Sequence, residues 1–147
     1  MKTFFAAIAL WLGIIDSSMA QADLTPISII NGDGVSITVQ AELATNREDR
    51  QRGLMYREEL PPLQGMLLTY PHPTTVRMWM KNTPISLDMI FIDKDGHVSK
   101  IVKDTAPLSR KVIGPYQKIQ AVLEVPAGTC NQYNIDETAV VILPEGI

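Results

Sequence analysis

The hydrophobic pattern of the chain is typical of short β-strands. Apolar and polar residues alternate in "VSITVQAEL", residues 35–43, which is the period of a strand that buries one face. Residues 119–125, "IQAVLEV", alternate again. The apolar run "GMLLTY", which ends at the loop "PHPTT", and the final run "TAVVIL" predict two buried strands.

Two short polar segments predict helices between these strands. Thr45 and Glu48 have the spacing of a capping box, in which each side chain bonds to the other residue's backbone amide. They predict a two-turn helix over "NREDRQR" that ends at Gly53, because glycine readily adopts a positive φ. A second short helix is predicted within "PAGTCNQYN".

The spacing of the turn signals indicates the fold class. Residues 89–104, "MIFIDKDGHVSKIVKD", predict a β-hairpin in which Gly96 adopts a positive φ. Residues 105–118 predict a long irregular loop of the kind that is often functional. Several short strands with one or two short helices predict a mainly β fold, either an antiparallel β-sandwich or a partly closed barrel.

The N-terminal residues predict export. An apolar stretch at residues 4–15 follows a lysine, and Ser18 and Ala20 are the small residues expected before a signal-peptidase cut. The stretch is shorter than the ~20 residues that a membrane-spanning helix needs. We therefore predict a cleaved signal peptide at 1–20 and a single mainly β domain at 21–147, which is periplasmic or secreted and has no stable membrane span after cleavage.

Charge and cysteine content exclude several classes of protein. The formal net charge is −3, so the chain has no overall basic field to attract nucleic acid. Cys130 is the only cysteine, so an intrachain disulfide is impossible and a buried, inert thiol is predicted. Asp93 and Asp95 resemble the start of a calcium loop, but Gly96 comes too early for that motif. No metal and no cofactor are predicted.

The segment "VRMWMK", residues 76–81, predicts a strand with an unusual outer face. Alternation places Val76 and its two methionines on the apolar face, and Arg77, Trp79 and Lys81 on the other. An indole between two cations can stack on a planar or sugar-like group while the cations bind a carboxylate or phosphate. The alternative is that a second layer covers Trp79 and makes it part of the core.

The residues that follow predict an anion site. Thr83 is held extended by the proline after it and is the expected N-cap of a helical turn over "PISL". The amides at the start of such a turn would bind an anionic oxygen beside Lys81 and Asn82. The open alternative is a closed polar network, in which Asp88 or Glu124 fills this position internally.

Five motifs in this order resemble those of a known bacterial and archaeal family, the domain of unknown function 192. They are "RGLMYREEL", "GMLLTY", "WMKNTPISLDMIFID", "DGHV" and "AVLEVPAG". The resemblance runs from about Val39 to the C-terminus. It implies a compact, mainly β single domain that is often exported, and it implies no established activity, substrate or cofactor.

From the residues themselves we predict an exported binding or accessory module with an anion-recognising polar pocket. Its expected ligand is a small anionic or sugar-like molecule, and no protein partner or catalytic residue is predicted. The predicted pocket residues are Trp79, Lys81, Asn82, Thr83, Asp88, Arg52 and Glu124.

Two alternative functions use subsets of the same region. Asp88 and Glu124 could act as the carboxylate pair of a hydrolase if they lie about 5 to 10 Å apart. Met78 and Met80 could bind Cu(I) in the periplasm, because thioethers select that ion. Methionines on an apolar strand face also serve as ordinary core residues.

Overall fold

The computed structural model describes residues 23–146, and the predicted signal peptide lies outside them. Seven strands and two short helices confirm the prediction of a mainly β fold. No helix in this range is long and apolar enough to cross a membrane. The strands are β1 (Thr25–Ile30), β2 (Ser36–Ala44), β3 (Gln64–Thr74), β4 (Leu87–Ile92), β5 (Val98–Val102), β6 (Ile119–Pro126) and β7 (Val140–Ile142), and the helices are α1 (Arg47–Arg52) and α2 (Thr129–Gln132).

The strands form one curled sheet in the order β5-β4-β6-β3-β2-β1-β7. Its two ends meet beside the β4–β5 turn, where the amide of Val141 donates to the carbonyl oxygen of Gly96 at 2.8 Å. His97 forms an isolated bridge with Val140 at the same place. The sheet is therefore a partly closed barrel, which is one of the two predicted architectures.

One strand pair is parallel, which the sequence pattern did not indicate. β2 and β3 run in the same direction, and all other neighbours in the sheet are antiparallel. A parallel pair needs a crossover connection, and residues 45–63, which contain α1, provide it. β3 also continues through most of "PHPTT", where a loop was predicted. The crossover includes the "RGLM" segment.

The central strands are buried on both faces. All seven strands contribute to an apolar cluster inside the barrel. A second cluster, here called the outer cluster, covers the opposite face of β3, β4 and β6 and packs against the connections that cross it. β6 is consequently buried along nearly its whole length. The outer cluster consists of Ala44, Leu54, Met66, Leu68, Val76, Met80, Leu87, Met89, Phe91, Ile119 and Val122.

Helix α1 forms where it was predicted, with a different cap. Asn46 has an extended backbone, and its side-chain oxygen accepts a hydrogen bond from the amide of Asp49 at 2.8 Å. The prediction that Thr45 is the cap is therefore wrong by one residue. Gly53 ends the helix with a φ of 49°, as predicted, and its amide donates to the carbonyl oxygen of Asp49. The second predicted helix is α2.

The segment at residues 76–81 alternates as predicted but is not a strand of the sheet. Val76 and Met80 are buried, and the residues between them are partly or fully exposed. Within the described residues its one ladder contact is a bridge between Met78 and Ile113, with N–O distances of 2.7 and 2.9 Å. Alternation therefore predicted the faces correctly, while the pairing partner comes from a loop distant in sequence.

The helical turn predicted over "PISL" does not form. Thr83 is therefore not an N-cap, and its hydroxyl donates to the carbonyl oxygen of Lys81 at 3.2 Å. The carbonyl oxygen of Thr83 accepts a hydrogen bond from the amide of Leu108 at 3.0 Å. This contact with the 105–118 loop takes the carbonyl that would otherwise begin a helix, so a tertiary hydrogen bond overrides the local preference.

Candidate functional site

A cleft of about 670 Å³ lies on the outer face of the sheet. Helix α1 and the turn after it form one wall, residues 74–79 form another, and β6 supplies the floor. Its volume is in the range of small-molecule sites. The cleft is lined by residues 50–55 and 74–79 together with Arg47, Tyr70, Thr83 and Glu124.

Glu124 lies at the floor of the cleft in the middle of β6. Its neighbours across the sheet are Met66 on β3 and Met89 on β4, so its carboxyl is flanked by apolar side chains. Glu124 is 4% exposed, and its Oε2 atom has no hydrogen-bond partner among the described residues. Burial raises the pKa of this carboxyl from 4.5 to about 7, because desolvation disfavours the charged form.

The turn after α1 brings the backbone close to this carboxyl. A Cβ added at Gly53 would lie 3.7 Å from Oε2 of Glu124, and its φ of 49° is strained for residues with a side chain. The residues on either side point in different directions, since Leu54 is buried in the outer cluster and Arg52 is exposed at the cleft. The "RGL" motif therefore places an open backbone beside Glu124 and an exposed arginine in the lining of the cleft.

Three exposed arginines of the cleft have no ionic partner. Within residues 23–146, Arg47, Arg52 and Arg77 form neither a salt bridge nor a side-chain hydrogen bond. Two of them come from α1 and the third from the opposite wall. Their guanidinium groups are therefore available to an anion that enters the cleft.

Arg50 is held in place by the protein itself. It donates to the carbonyl oxygens of Thr45 at 2.5 Å and Thr69 at 2.9 Å, and it lies 4.9 Å from the centroid of the Tyr70 ring. Burial raises the pKa of the Tyr70 phenol, the Arg50 charge lowers it and the Glu124 carboxylate raises it again. Tyr70 is therefore neutral near neutral pH and adds a polar edge to the wall.

The charge of the cleft is opposite to that of the whole protein. Its lining has four arginines and one carboxyl, Glu124, whereas the chain has a formal net charge of −3. A positive site with low-dielectric walls attracts anions even when the rest of the surface repels them. The local charge, not the net charge, determines what this site can bind.

Trp79 forms part of the cleft and Lys81 stands beside it. The indole is 45% exposed, so the alternative in which a second layer buries Trp79 is wrong. The Nζ atom of Lys81 is 5.1 Å from the centroid of the indole ring. Lys81 does not line the cleft and makes no salt bridge in the described part of the chain. It is therefore not part of a closed ionic network.

Asn82 forms hydrogen bonds with Tyr56, which follows α1 in the chain. Its φ is 56°, its carbonyl oxygen accepts from the amide of Tyr56 at 2.7 Å, and its side chain donates to the Tyr56 hydroxyl at 3.0 Å. Thr83, which is 5% exposed, lines the cleft. Asn82 thus connects the segment after α1 to the Trp79 segment through hydrogen bonds. It does not line the cleft.

Asp88 is on the other face of the sheet. In the register of β4 and β6, Met89 is opposite Glu124 and Asp88 is opposite Val125, so Asp88 and Glu124 point away from each other. Asp88 is fully buried and accepts hydrogen bonds from the amides of Asp104 at 3.0 Å and Cys130 at 2.9 Å. The structure therefore does not bring the predicted carboxylate pair into one site.

The remaining predicted residues have structural partners. Met80 is fully buried in the outer cluster and Met78 packs against it, as core methionines do. Cys130 is buried as predicted, and burial raises the pKa of its thiol to about 12. Arg57, from the same motif as Arg52, forms a bidentate pair with Glu42 at 2.6 Å and does not face the cleft.

Sequence reasoning missed Arg47, Arg50 and Tyr70. A signal for the two arginines was present, because residues three apart in the predicted helix share a face. Tyr70 ends the run "GMLLTY", in which nothing distinguishes it from an ordinary strand aromatic. The sequence also could not indicate that the turn after α1 lies close to Glu124 on β6.

The described residues contain one group of possible metal ligands, at the β4–β5 turn. Oxygen and nitrogen atoms of Asp93, Asp95 and His97 lie within 4.8 Å of one another. The Asp93 carboxylate already accepts the amides of Asp95 and His97, and Asp95 pairs with Lys94 at 2.7 Å. These contacts explain the arrangement as that of an exposed turn.

Comparison with known proteins identifies the family. The model of domain of unknown function 192, described as "Uncharacterized ACR", matches residues 28–143. No curated protein matches the chain. A solved structure from Sinorhizobium meliloti 1021, provisionally described as a transcription regulator, is 33% identical and covers 80% of this chain and 91% of that chain, with a TM-score of 0.78. Another, a protein of unknown function from Novosphingobium aromaticivorans DSM 12444, is 28% identical and covers 82% of this chain and 85% of that chain, also with a TM-score of 0.78. The chain belongs to the family of domain of unknown function 192.

Proposed function

We propose that the protein is an exported binding module that holds a small anionic ligand in the cleft above Glu124. The observation that carries this proposal is the convergence of Arg47, Arg52 and Arg77 on one cleft, without ionic partners in the described chain. Arginines on an ordinary surface gain little from being placed together, since like charges repel. An anionic ligand offsets that repulsion and can bind two guanidinium groups at once.

The walls indicate the size and shape of the ligand. A cleft of about 670 Å³ admits a metabolite-sized molecule. Trp79 presents a partly exposed indole that can cover a planar or sugar-like face. The ligand class is therefore a small carboxylate or phosphate, and Trp79 can cover one face of its body.

The proposal is tested by calorimetric titration of the protein with small carboxylates and phosphates at low ionic strength. Arg52→Gln and Arg77→Gln should each weaken the best-binding anion by about tenfold, because each removes a charged hydrogen-bond donor. Lys100→Gln is the matched control, since it removes one exposed positive charge that does not line the cleft. Equal weakening in all three variants would mean that net charge, and not the cleft, controls binding.

A further inference from the structure

We infer that Glu124 hydrogen-bonds an uncharged hydroxyl group of the bound anion, which makes the ligand class small hydroxylated anions such as hydroxy acids, sugar acids or polyol phosphates. This inference rests on the proposed function and deepens it. The arginines would bind the anionic group near the mouth of the cleft. Glu124 would form a hydrogen bond with a second, neutral group at the floor of the cleft.

The inference starts from the unpartnered oxygen of Glu124. Oε2 is buried and has no hydrogen-bond partner in the described chain, and the residue Glu124 lines the cleft. Buried polar atoms are nearly always hydrogen-bonded, and leaving one unpaired is costly. The flanking Met66 and Met89 side chains offer no strong donor, so a group bound in the cleft that Glu124 lines is a candidate donor.

The chemistry of the surroundings selects a hydroxyl over other groups. An ammonium group would suit a carboxylate, but four arginines around the cleft repel a cationic ligand. A second anionic group would be disfavoured next to a carboxylate. A hydroxyl is compatible with both protonation states, because it can donate to the carboxylate or accept from the carboxylic acid.

The charged and titratable groups of the cleft determine how binding depends on pH. Arg47, Arg50 and Arg52 line the cleft from α1 and Arg77 lines it from the segment 74–79, and each carries a guanidinium group. On β3, Tyr70 has a raised pKa and stays neutral, and β4 contributes the uncharged Met89. On β2, Glu42 is bound by Arg57. Glu124 is therefore the group at the cleft that changes charge near pH 7.

A bound anion favours the protonated form of Glu124, because the two negative charges would otherwise repel each other. Binding is therefore coupled to uptake of a proton from solvent by the Glu124 carboxylate. Affinity for a fully ionised carboxylate ligand should fall as the pH rises through about 7. In Glu124→Gln, whose amide mimics the neutral acid and does not titrate, this dependence should disappear.

The test compares ligands that differ only in their hydroxyl groups. Calorimetry is done with malate and tartrate against succinate, with gluconate against hexanoate, and with glycerol 3-phosphate against propyl phosphate. We expect at least one hydroxylated member to bind about tenfold tighter than its partner. Glu124→Gln should keep this preference, and Glu124→Leu should lose it while still binding both members.

The outcomes separate this inference from the proposed function. If no anion of either kind binds, the proposed function fails. If anions bind and the deoxy members bind as tightly as the hydroxylated ones, the cleft is an anion site and the role of Glu124 is wrong. A preference for hydroxyls that persists in Glu124→Leu, or a wild-type affinity for malate that rises between about pH 6 and about pH 8, would also overturn it.

Discussion

Replacing Glu124 by glutamine should raise the stability of the protein relative to the wild type as the pH rises from about 4.5 to about 7. The substitution keeps the shape of the side chain and removes its ability to ionise. In the wild type, the carboxyl must lose its proton above a pKa of about 7 while it remains buried between two methionines. In the unfolded chain the same carboxyl ionises near 4.5.

The sign and size of the effect follow from this difference in pKa. Because the folded-state pKa is raised, the contribution of Glu124 to stability is fully present below pH 4.5 and is lost as the pH rises to about 7. The loss is about 3 kcal/mol, since each pKa unit corresponds to about 1.36 kcal/mol. That is a large part of the about 5 to 15 kcal/mol by which a domain is stable.

The assay is urea denaturation of wild type and Glu124→Gln from about pH 4.5 to about pH 8.5. The free energy of unfolding of the variant minus that of the wild type should rise by about 3 kcal/mol across this range, and most of the rise should come below about pH 7. The cost of burying the amide is the same at every pH, so the change with pH is the diagnostic quantity. Groups that titrate equally in both proteins cancel.

Glu58→Gln is the matched control, because Glu58 is exposed and forms no salt bridge within the described residues. Its difference from wild type should stay nearly constant with pH. If the Glu124→Gln difference is equally flat, the carboxyl is not held in a desolvated site, and the reasoning about the floor of the cleft is refuted.

Three further predictions concern other parts of the chain. Lys81→Met should change the free energy of unfolding by less than about 1 kcal/mol in denaturant melts, whereas Asp88→Asn should cost about 1 to 3 kcal/mol because the buried Asp88 carboxylate accepts two backbone amides. Equal costs would contradict the placement of both residues. Asn82→Ala should be about 1 kcal/mol less stable than Asn82→Gly in the same assay, because a φ of 56° strains alanine, and equal stability would mean that this turn is relaxed. Intact-mass measurement of the exported protein should give a chain that begins at Gln21, and a full-length chain in that fraction would contradict the predicted signal peptide.

The elements that the sequence predicted correctly are those with local signals. The hairpin around Gly96 and the end of α1 at Gly53 depend on turn residues that act within a few positions. The parallel pairing of β2 and β3 and the bridge between Met78 and Ile113 depend on segments far apart in the chain. Periodicity indicates which face of a segment is buried, and it carries no information about the partner.

The sequence predicted only some residues of the candidate site, because periodicity does not show which segments lie next to each other. Arg52, Trp79, Thr83 and Glu124 all line the cleft, although the helical turn that was expected to organise them is absent. Asp88 could not be assigned to a face from the sequence, because the register between β4 and β6 decides whether it points with Glu124 or away from it. A shift of one residue in that register would have placed both carboxyls together.

The most direct measurement of the central claim is a two-dimensional amide NMR titration of the ¹⁵N-labelled protein with malate, and with inorganic phosphate as a second probe. Binding in the cleft predicts saturable shifts concentrated in residues 47–55 and 74–79, at the backbone that forms its walls. The β4–β5 turn at residues 93–97 should stay unchanged, since it lies outside the cleft lining. Shifts that are absent, that do not saturate, or that are centred away from the two walls would contradict the claim that this arginine-lined cleft is the binding site.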